Sequence, residues 1–264
     1  MKIGFIGLGN MAKAMIGGML GKGIAQPLDI LGYARTKETQ NEVKNKYGIT
    51  IMEGNAQVAA ASDILILAVK PQMFETVIPQ IRNMVKEEGL VISIAAGKSL
   101  GWIEEAFGRK LKLVRCMPNT PALVGEGCSV MCRNERVSDE EMEQSMKLME
   151  SFGMAEEVPE KLIDAVGAVS GSSPAFVFMF MEALADGGVK AGMPRSQAYR
   201  FAAQAVLGSA KLMKESGKHP GELKDMVCSP GGTTIEGVQV LEEMGLKGAV
   251  MAAVSKCVEK SGKM

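Results

Sequence analysis

The sequence predicts an α/β fold in which an N-terminal doubly wound parallel sheet, residues 1–160, is followed by an all-helical segment, residues 161–264. Three observations predict it. Short apolar runs, uninterrupted rather than alternating, recur through the first half, as suits strands buried on both faces of a parallel sheet. Helix-like segments separate these runs, which makes repeated βαβ units. After about Glu160 the β-like runs stop, and helical sequence punctuated by Gly and Pro takes over.

The expected strands are "KIGFIGLG" (2–9), "DILGYA" (29–34), "DILILAV" (63–69), "LVISIAAG" (90–97) and "KLVRCM" (112–117). "NMAKAMIGGMLGKG", "KETQNEVKNKYG", "PQMFETVIPQIRNMVKEEG" and "SLGWIEEAFG" lie between them and read as crossover helices. "CSVMCRN" (128–134) reads as a further strand, followed by a charged helix from Ser138 to about Phe152. The domain boundary is expected near 158–162. Beyond it, Phe176 to Met181 are six consecutive apolar residues with no polar face, so that helix must be covered all round. A domain of about 100 residues rarely manages this alone, and a subunit interface is the economical reading. On the last helix Val250, Val254, Cys257 and Val258 fall on one stripe, an ordinary core pattern.

Composition narrows the function classes. With 30 basic and 30 acidic residues and no block of like charges, nothing advertises a polyanion, and nucleic acid is not an expected partner. The N-terminus lacks a small-residue cleavage site, and the longest apolar run, Ala175 to Met181, falls well short of the roughly 18 to 20 residues that span a bilayer. A soluble, cytoplasmic protein is expected, with no membrane partner. The five cysteines, 116, 128, 132, 228 and 257, form no C-x-x-C pair and fit reduced thiols. His219, in "KHPG", is the only histidine; a local structural role is expected for it, and no metal site.

"GLGNMA" is the G-x-G-x-x-A form of the dinucleotide fingerprint, at the first strand-to-helix junction of an alternating chain. Gly7 permits the tight turn, Gly9 lets the backbone approach a pyrophosphate, and Ala12 keeps helix and strand close. This is a Rossmann-type arrangement. The second strand would normally end in an acidic residue for the ribose hydroxyls of NAD, but here it ends Tyr33-Ala34-Arg35-Thr36-Lys37. Arg35, helped by Thr36 and Lys37, suits a 2′-phosphate, so NADPH is the expected cofactor, with NADH as the second choice. The alternative is a solvated charged turn opening the next helix. "AVKPQ" (68–72), "AAG" (95–97) and "MPNTP" (117–121) end later strands and should line the nicotinamide half of the cleft. Lys70 and Asn119 are their conspicuous polar side chains. Each could equally cap a helix or satisfy a loop carbonyl, and neither has an evident activating partner.

"GFIGLGNMA", "AVKPQ", "RCMPNTPALVGEG", "SGSSPAF", "EALADGGVKAGMPR" and "HPGELKDMVCSPGGTTIEG" together resemble pyrroline-5-carboxylate reductase nearly end to end. The resemblance implies reduction of 1-pyrroline-5-carboxylate to L-proline by NAD(P)H, the last step of proline biosynthesis. It also implies a helical domain that intertwines with a partner subunit, in dimers that often assemble further into decamers. The substrate site it implies is the turn Ser229, Gly231, Gly232, Thr233, Thr234. There Gly231 and Gly232 leave main-chain N–H groups bare for the substrate carboxylate. The resemblance also implies that Thr234, as the catalytic residue, would hydrogen-bond the ring nitrogen; the alternative is that it only caps the following helix. The family usually shows Ala at position 233 and "SGSGPAY" where this chain has "SGSSPAF". The full expected cofactor set is Gly7, Leu8, Gly9, Asn10, Met11, Ala12, Arg35, Thr36, Asn55, Ala68, Val69, Lys70, Pro71, Ala95, Ala96, Gly97 and Asn119. Two rivals share the fold: an enzyme reducing another cyclic imine or oxidising a β-hydroxy acid, the latter needing a catalytic lysine for which Lys190 is the candidate, and a non-catalytic NADP-binding sensor, which would need no substrate cradle.

Overall fold

The computed structural model describes residues 1–263. Its strands are β1 (Ile3–Ile6), β2 (Ile30–Tyr33), β3 (Thr50–Ile51), β4 (Ile64–Leu67), β5 (Leu90–Ser93), β6 (Lys112–Met117), β7 (Gly127–Arg133) and β8 (Gly153–Glu157). The helices among them are α1 (Asn10–Gly21), α2 (Lys37–Tyr47), α3 (Asn55–Ala61), α4 (Phe74–Ile81), α5 (Leu100–Phe107) and α6 (Asp139–Glu150). The eight strands form one sheet in the order β3-β2-β1-β4-β5-β6-β7-β8. All neighbours are parallel except β6 and β7, which pair antiparallel. The order reverses direction at β1, and this is the topological switch point where an open α/β sheet binds its ligand.

The continuous apolar runs are explained by what covers them. Along β4, Ile64 and Ile66 pack into the layer built from α1 and α6, with Met15, Ile16, Leu148 and Met149. Leu65 and Leu67 point the other way, into the layer of α4 and α5, with Phe74, Ile78 and Ile103. Successive strand residues face opposite sides, so a strand with helices on both faces is apolar at every position. The two edge strands escaped the sequence reading for the complementary reason. β3 is two residues long, and β8 carries Glu156 and Glu157 on exposed positions.

The helical half continues with α7 (Glu160–Val166), a π-helical stretch over Gly167–Ser172, α8 (Ser173–Lys190), α9 (Arg195–Ser216), α10 (Pro220–Val227), α11 (Thr233–Glu243) and α12 (Leu246–Ser261). Two compact units result, one of residues 1–172 together with the chain from Cys257 onward, the other of residues 173–256. Arg115 binds the first unit together. Its side chain, 5% exposed on β6, pairs with Glu160 at 3.3 Å and Asp164 at 2.8 Å, both on α7. Glu160 also accepts the Leu100 N–H at the start of α5, and Asp164 accepts the Ser261 hydroxyl at the end of α12. A buried guanidinium needs such partners to offset its lost hydration.

The second unit has almost no interior. Only Ala185, Ala198 and Ala202 are buried between residues 173 and 256. Phe178 is 64% exposed, Met179 67% and Phe201 61%. Within the helical tract Glu160–Lys190 an 18-residue window reaches a mean hydropathy of 1.4, long and apolar enough by length and composition alone to cross a membrane, a test that the core helix of a soluble protein also passes. Small polar residues such as Ser172 and Ser173 interrupt the apolar run of the sequence without lowering the average of that window much.

Candidate active site

Because β1, β2, β4, β5 and β6 are parallel, their carboxyl ends share one edge of the sheet, and the predicted cofactor segments all leave from it. At the end of β1 the chain turns through Gly7, whose φ of +94° is left-handed; a Cβ there would meet the Ala68 carbonyl oxygen at 2.6 Å. Its N–H donates to Tyr33 O at 3.0 Å, tying the turn to β2. Gly9 is the N-cap of α1 with no capping side chain, and a Cβ on it would enter open space. The first-turn N–H groups of α1, from Asn10 to Ala12, are thus left for an anion to approach without obstruction. Residues and geometry fit a dinucleotide pyrophosphate.

Leu8 and Ala12 are fully buried and Met11 packs on the core, so only their main chain could meet a ligand. Arg35 is exposed and makes no ion pair or hydrogen bond among the described residues, which leaves its guanidinium for a ligand. Thr36 is the N-cap of α2: its Oγ1 accepts the Thr39 N–H at 3.4 Å and donates to the Thr39 hydroxyl at 2.9 Å. Beside Arg35 lies a cleft of about 200 Å³ lined by Gly7, Tyr33, Ala34, Arg35, Asn55, Val69, Met73, Thr76, Val77 and Gln80. Thr76 and Gln80, on α4, were passed over in the sequence because an otherwise apolar helix gave no sign of which positions face a ligand.

Along the rest of the edge, Ala68 and Val69 follow β4, and Lys70 precedes the 3-10 turn begun by Pro71, exposed and without a partner among the described residues. Ala95, Ala96 and Gly97 follow β5, Ala95 with its side chain buried. The next residue, Lys98, also unremarked in the sequence, sets its ammonium 3.9 Å from the centre of the Trp102 ring. Asn119 is 8% exposed and is engaged by the protein itself. Its Oδ1 accepts the Cys128 N–H at 2.8 Å and its Nδ2 donates to Ser170 O, in the π-helical stretch, at 2.9 Å. The Asn119 side chain thus satisfies main-chain groups of β7 and of the π-helical stretch.

The second unit holds the turn. Pro230 followed by Gly231 at φ +64° has the residue pattern of a type II turn, closed by Gly232 N–H donating to Ser229 O at 3.0 Å. The Gly232 N–H is therefore not bare, contrary to expectation: closing the turn consumes it. Gly232 is instead the N-cap of α11, without a capping side chain, and Thr233 and Thr234 are the first two helical residues. Neither threonine hydroxyl makes a hydrogen bond among the described residues, so Thr234 does not cap the helix. Both are exposed, beside the uncapped N–H groups of an 11-residue helix. His219 caps α10, its Nδ1 accepting the Gly221 N–H at 3.1 Å, a local structural role. Burial pushes the Cys116 thiol far up and that of Cys132 to about 12, so neither is a thiolate at neutral pH. Lys190 ends α8 and is exposed.

Residues 160–264 match the family model described as pyrroline-5-carboxylate reductase dimerisation, and residues 2–97 match NADP oxidoreductase coenzyme F420-dependent. Pyrroline-5-carboxylate reductase of Escherichia coli (strain K12) is 49% identical over 263 residues, 100% of this chain and 98% of the relative. That of Methanosarcina acetivorans is 45% identical, covering 98% and 96%. The crystal structure of Plasmodium falciparum pyrroline carboxylate reductase with NADP bound aligns at a TM-score of 0.90 and 35% identity, over 99% of this chain and 97% of that one. Identity of this size from end to end, over a sheet with a glycine cradle and a helical half with an uncapped Ser-Pro-Gly-Gly turn, is more than a shared fold: the chain belongs to the pyrroline-5-carboxylate reductase family.

Proposed function

We infer that this protein reduces 1-pyrroline-5-carboxylate to L-proline with NADPH. The observation that carries this is the full-length likeness to the reductases of Escherichia coli and Methanosarcina acetivorans, joined to the unengaged Arg35 beside the cleft of about 200 Å³. When bound, NADPH supplies the hydride that reduces the C=N carbon. The chain's own residues bind and orient. The α1 N-terminus takes the pyrophosphate and Arg35 the 2′-phosphate. The first-turn N–H groups of α11 take the substrate carboxylate, and the Thr234 hydroxyl holds the ring nitrogen. Orientation and a suitable electrostatic setting are most of what such a transfer needs from a protein, so the scarcity of acid–base side chains agrees with the reading. A steady-state assay with pyrroline-5-carboxylate and NADPH tests it. Turnover is expected; absence of turnover with either dinucleotide would overturn it.

Residues 161–264 act in this reading as the dimerisation and substrate-binding part. The support is the exposed apolar surface of α8, α9 and α12, which three buried alanines cannot stabilise, and the match to the dimerisation family model. Sedimentation of the intact chain at micromolar concentration is expected to show at least a dimer, with a decamer as the larger form the family resemblance suggests. A monomer would leave Phe178, Met179 and Phe201 unexplained. The five unpaired cysteines suit a reducing cytoplasm.

A further inference from the structure

Two amides meet in the cleft beside Arg35, and their orientation is set by a chain of hydrogen bonds. Gln80 Nε2 donates to the Thr76 carbonyl one turn back on α4, at 3.0 Å. That bond turns Gln80 Oε1 outward, and an amide oxygen can only accept. Asn55 must therefore present its Nδ2, which lies 2.9 Å from Gln80 Oε1. The Asn55 Oδ1 is left over, and it accepts no hydrogen bond among the described residues. The cleft thus combines a guanidinium, which only donates, with a carbonyl oxygen held as an acceptor.

These two groups suit different dinucleotides. A ribose 2′-hydroxyl has a proton to donate and matches the Asn55 Oδ1. A 2′-phosphate dianion has only acceptors and matches Arg35, while a fixed amide oxygen beside it is unfavourable. We propose that Gln80 is a specificity-determining positioning residue: by holding Asn55 with its carbonyl available, it sustains binding of NADH alongside NADPH in a cleft whose arginine favours the phosphate. Releasing the Asn55 amide would let it rotate and offer N–H to the phosphate instead. The inference rests on the reading of this cleft as the adenosine half of the cofactor site.

The test is binding by the full chain rather than turnover. Dissociation constants for NADPH, NADH, 2′,5′-ADP and 5′-ADP are measured by calorimetry on the wild type and on Gln80→Leu. Gln80 is exposed, so the variant should keep its melting temperature. NADH and 5′-ADP are expected to weaken about 3- to 10-fold, the scale of one hydrogen bond, with NADPH and 2′,5′-ADP unchanged or tighter. In an Asn55→Ala background the same substitution should no longer move the ratio of the two dinucleotides, since the effect passes through Asn55. An unchanged ratio in Gln80→Leu, or a shift that persists without Asn55, would overturn the proposal while leaving the cofactor site intact. A wild type that binds none of the four would overturn the cofactor reading itself and the proposal with it.

Discussion

Replacing Thr234 by alanine is expected to lower kcat about 5- to 150-fold, the equivalent of roughly 1 to 3 kcal/mol for one hydrogen bond that matters most as the ring nitrogen becomes an amine. NADPH binding should change little. The structure sharpens this expectation, because Gly232, not Thr234, is the N-cap of α11 and the Thr234 hydroxyl has no partner within the described protein. Loss of the hydroxyl should therefore leave the melting temperature nearly unchanged, whereas loss of a true helix cap typically costs about 1 kcal/mol. Thr233→Ala, which restores the residue the family usually carries, should be nearly silent. Measuring kcat and melting temperature for both variants separates the cases. A stable, fully active Thr234→Ala enzyme would refute the catalytic role, and a crippled Thr233→Ala enzyme would move that role one residue back.

Arg35→Asp should raise KM for NADPH on the order of 10- to 100-fold, since it removes a charge-assisted contact with the 2′-phosphate and puts a like charge in its place. KM for NADH should change far less, because NADH lacks that phosphate. Arg35 is free of protein partners among the described residues, so the substitution breaks no internal contact and the fold should survive it. Equal effects on both dinucleotides would show that Arg35 does not read the phosphate.

Much of this architecture was legible before any coordinates. The strands at the centre of the sheet need apolar residues at every position because helices cover both faces, and such runs stand out in a linear sequence. The glycine cradle was legible for a similar reason: a left-handed turn at Gly7 and an unobstructed approach at Gly9 restrict residue choice so strongly that the requirement shows in the letters themselves. The cap made by His219 and the apolar surface of Phe176 to Met181 are local consequences of neighbouring residues, and they too could be read directly.

What the tertiary structure decided was pairing between residues far apart in the chain. β3 and β8 were not apparent because an edge strand has a neighbour on one side only and tolerates short or polar sequence. The antiparallel entry of β7 depends on where the chain returns, which its own residues do not encode. A charged Arg115 inside β6 is accounted for only by Glu160 and Asp164, 45 and 49 residues later, which the fold brings against it. In the same way the partners of the Asn119 amide were not apparent until the fold delivered Ser170 O and the Cys128 N–H to it. Gln80 was an unmarked polar residue until α4 set it beside Asn55. By itself the sequence determined which backbone conformations and which buried faces this protein could have, because those follow from each residue and its near neighbours. Which polar groups satisfy one another, and which are left for a ligand, only the tertiary structure decided, since a hydrogen bond depends on distances of about 3 Å that the chain sets only once it has closed on itself.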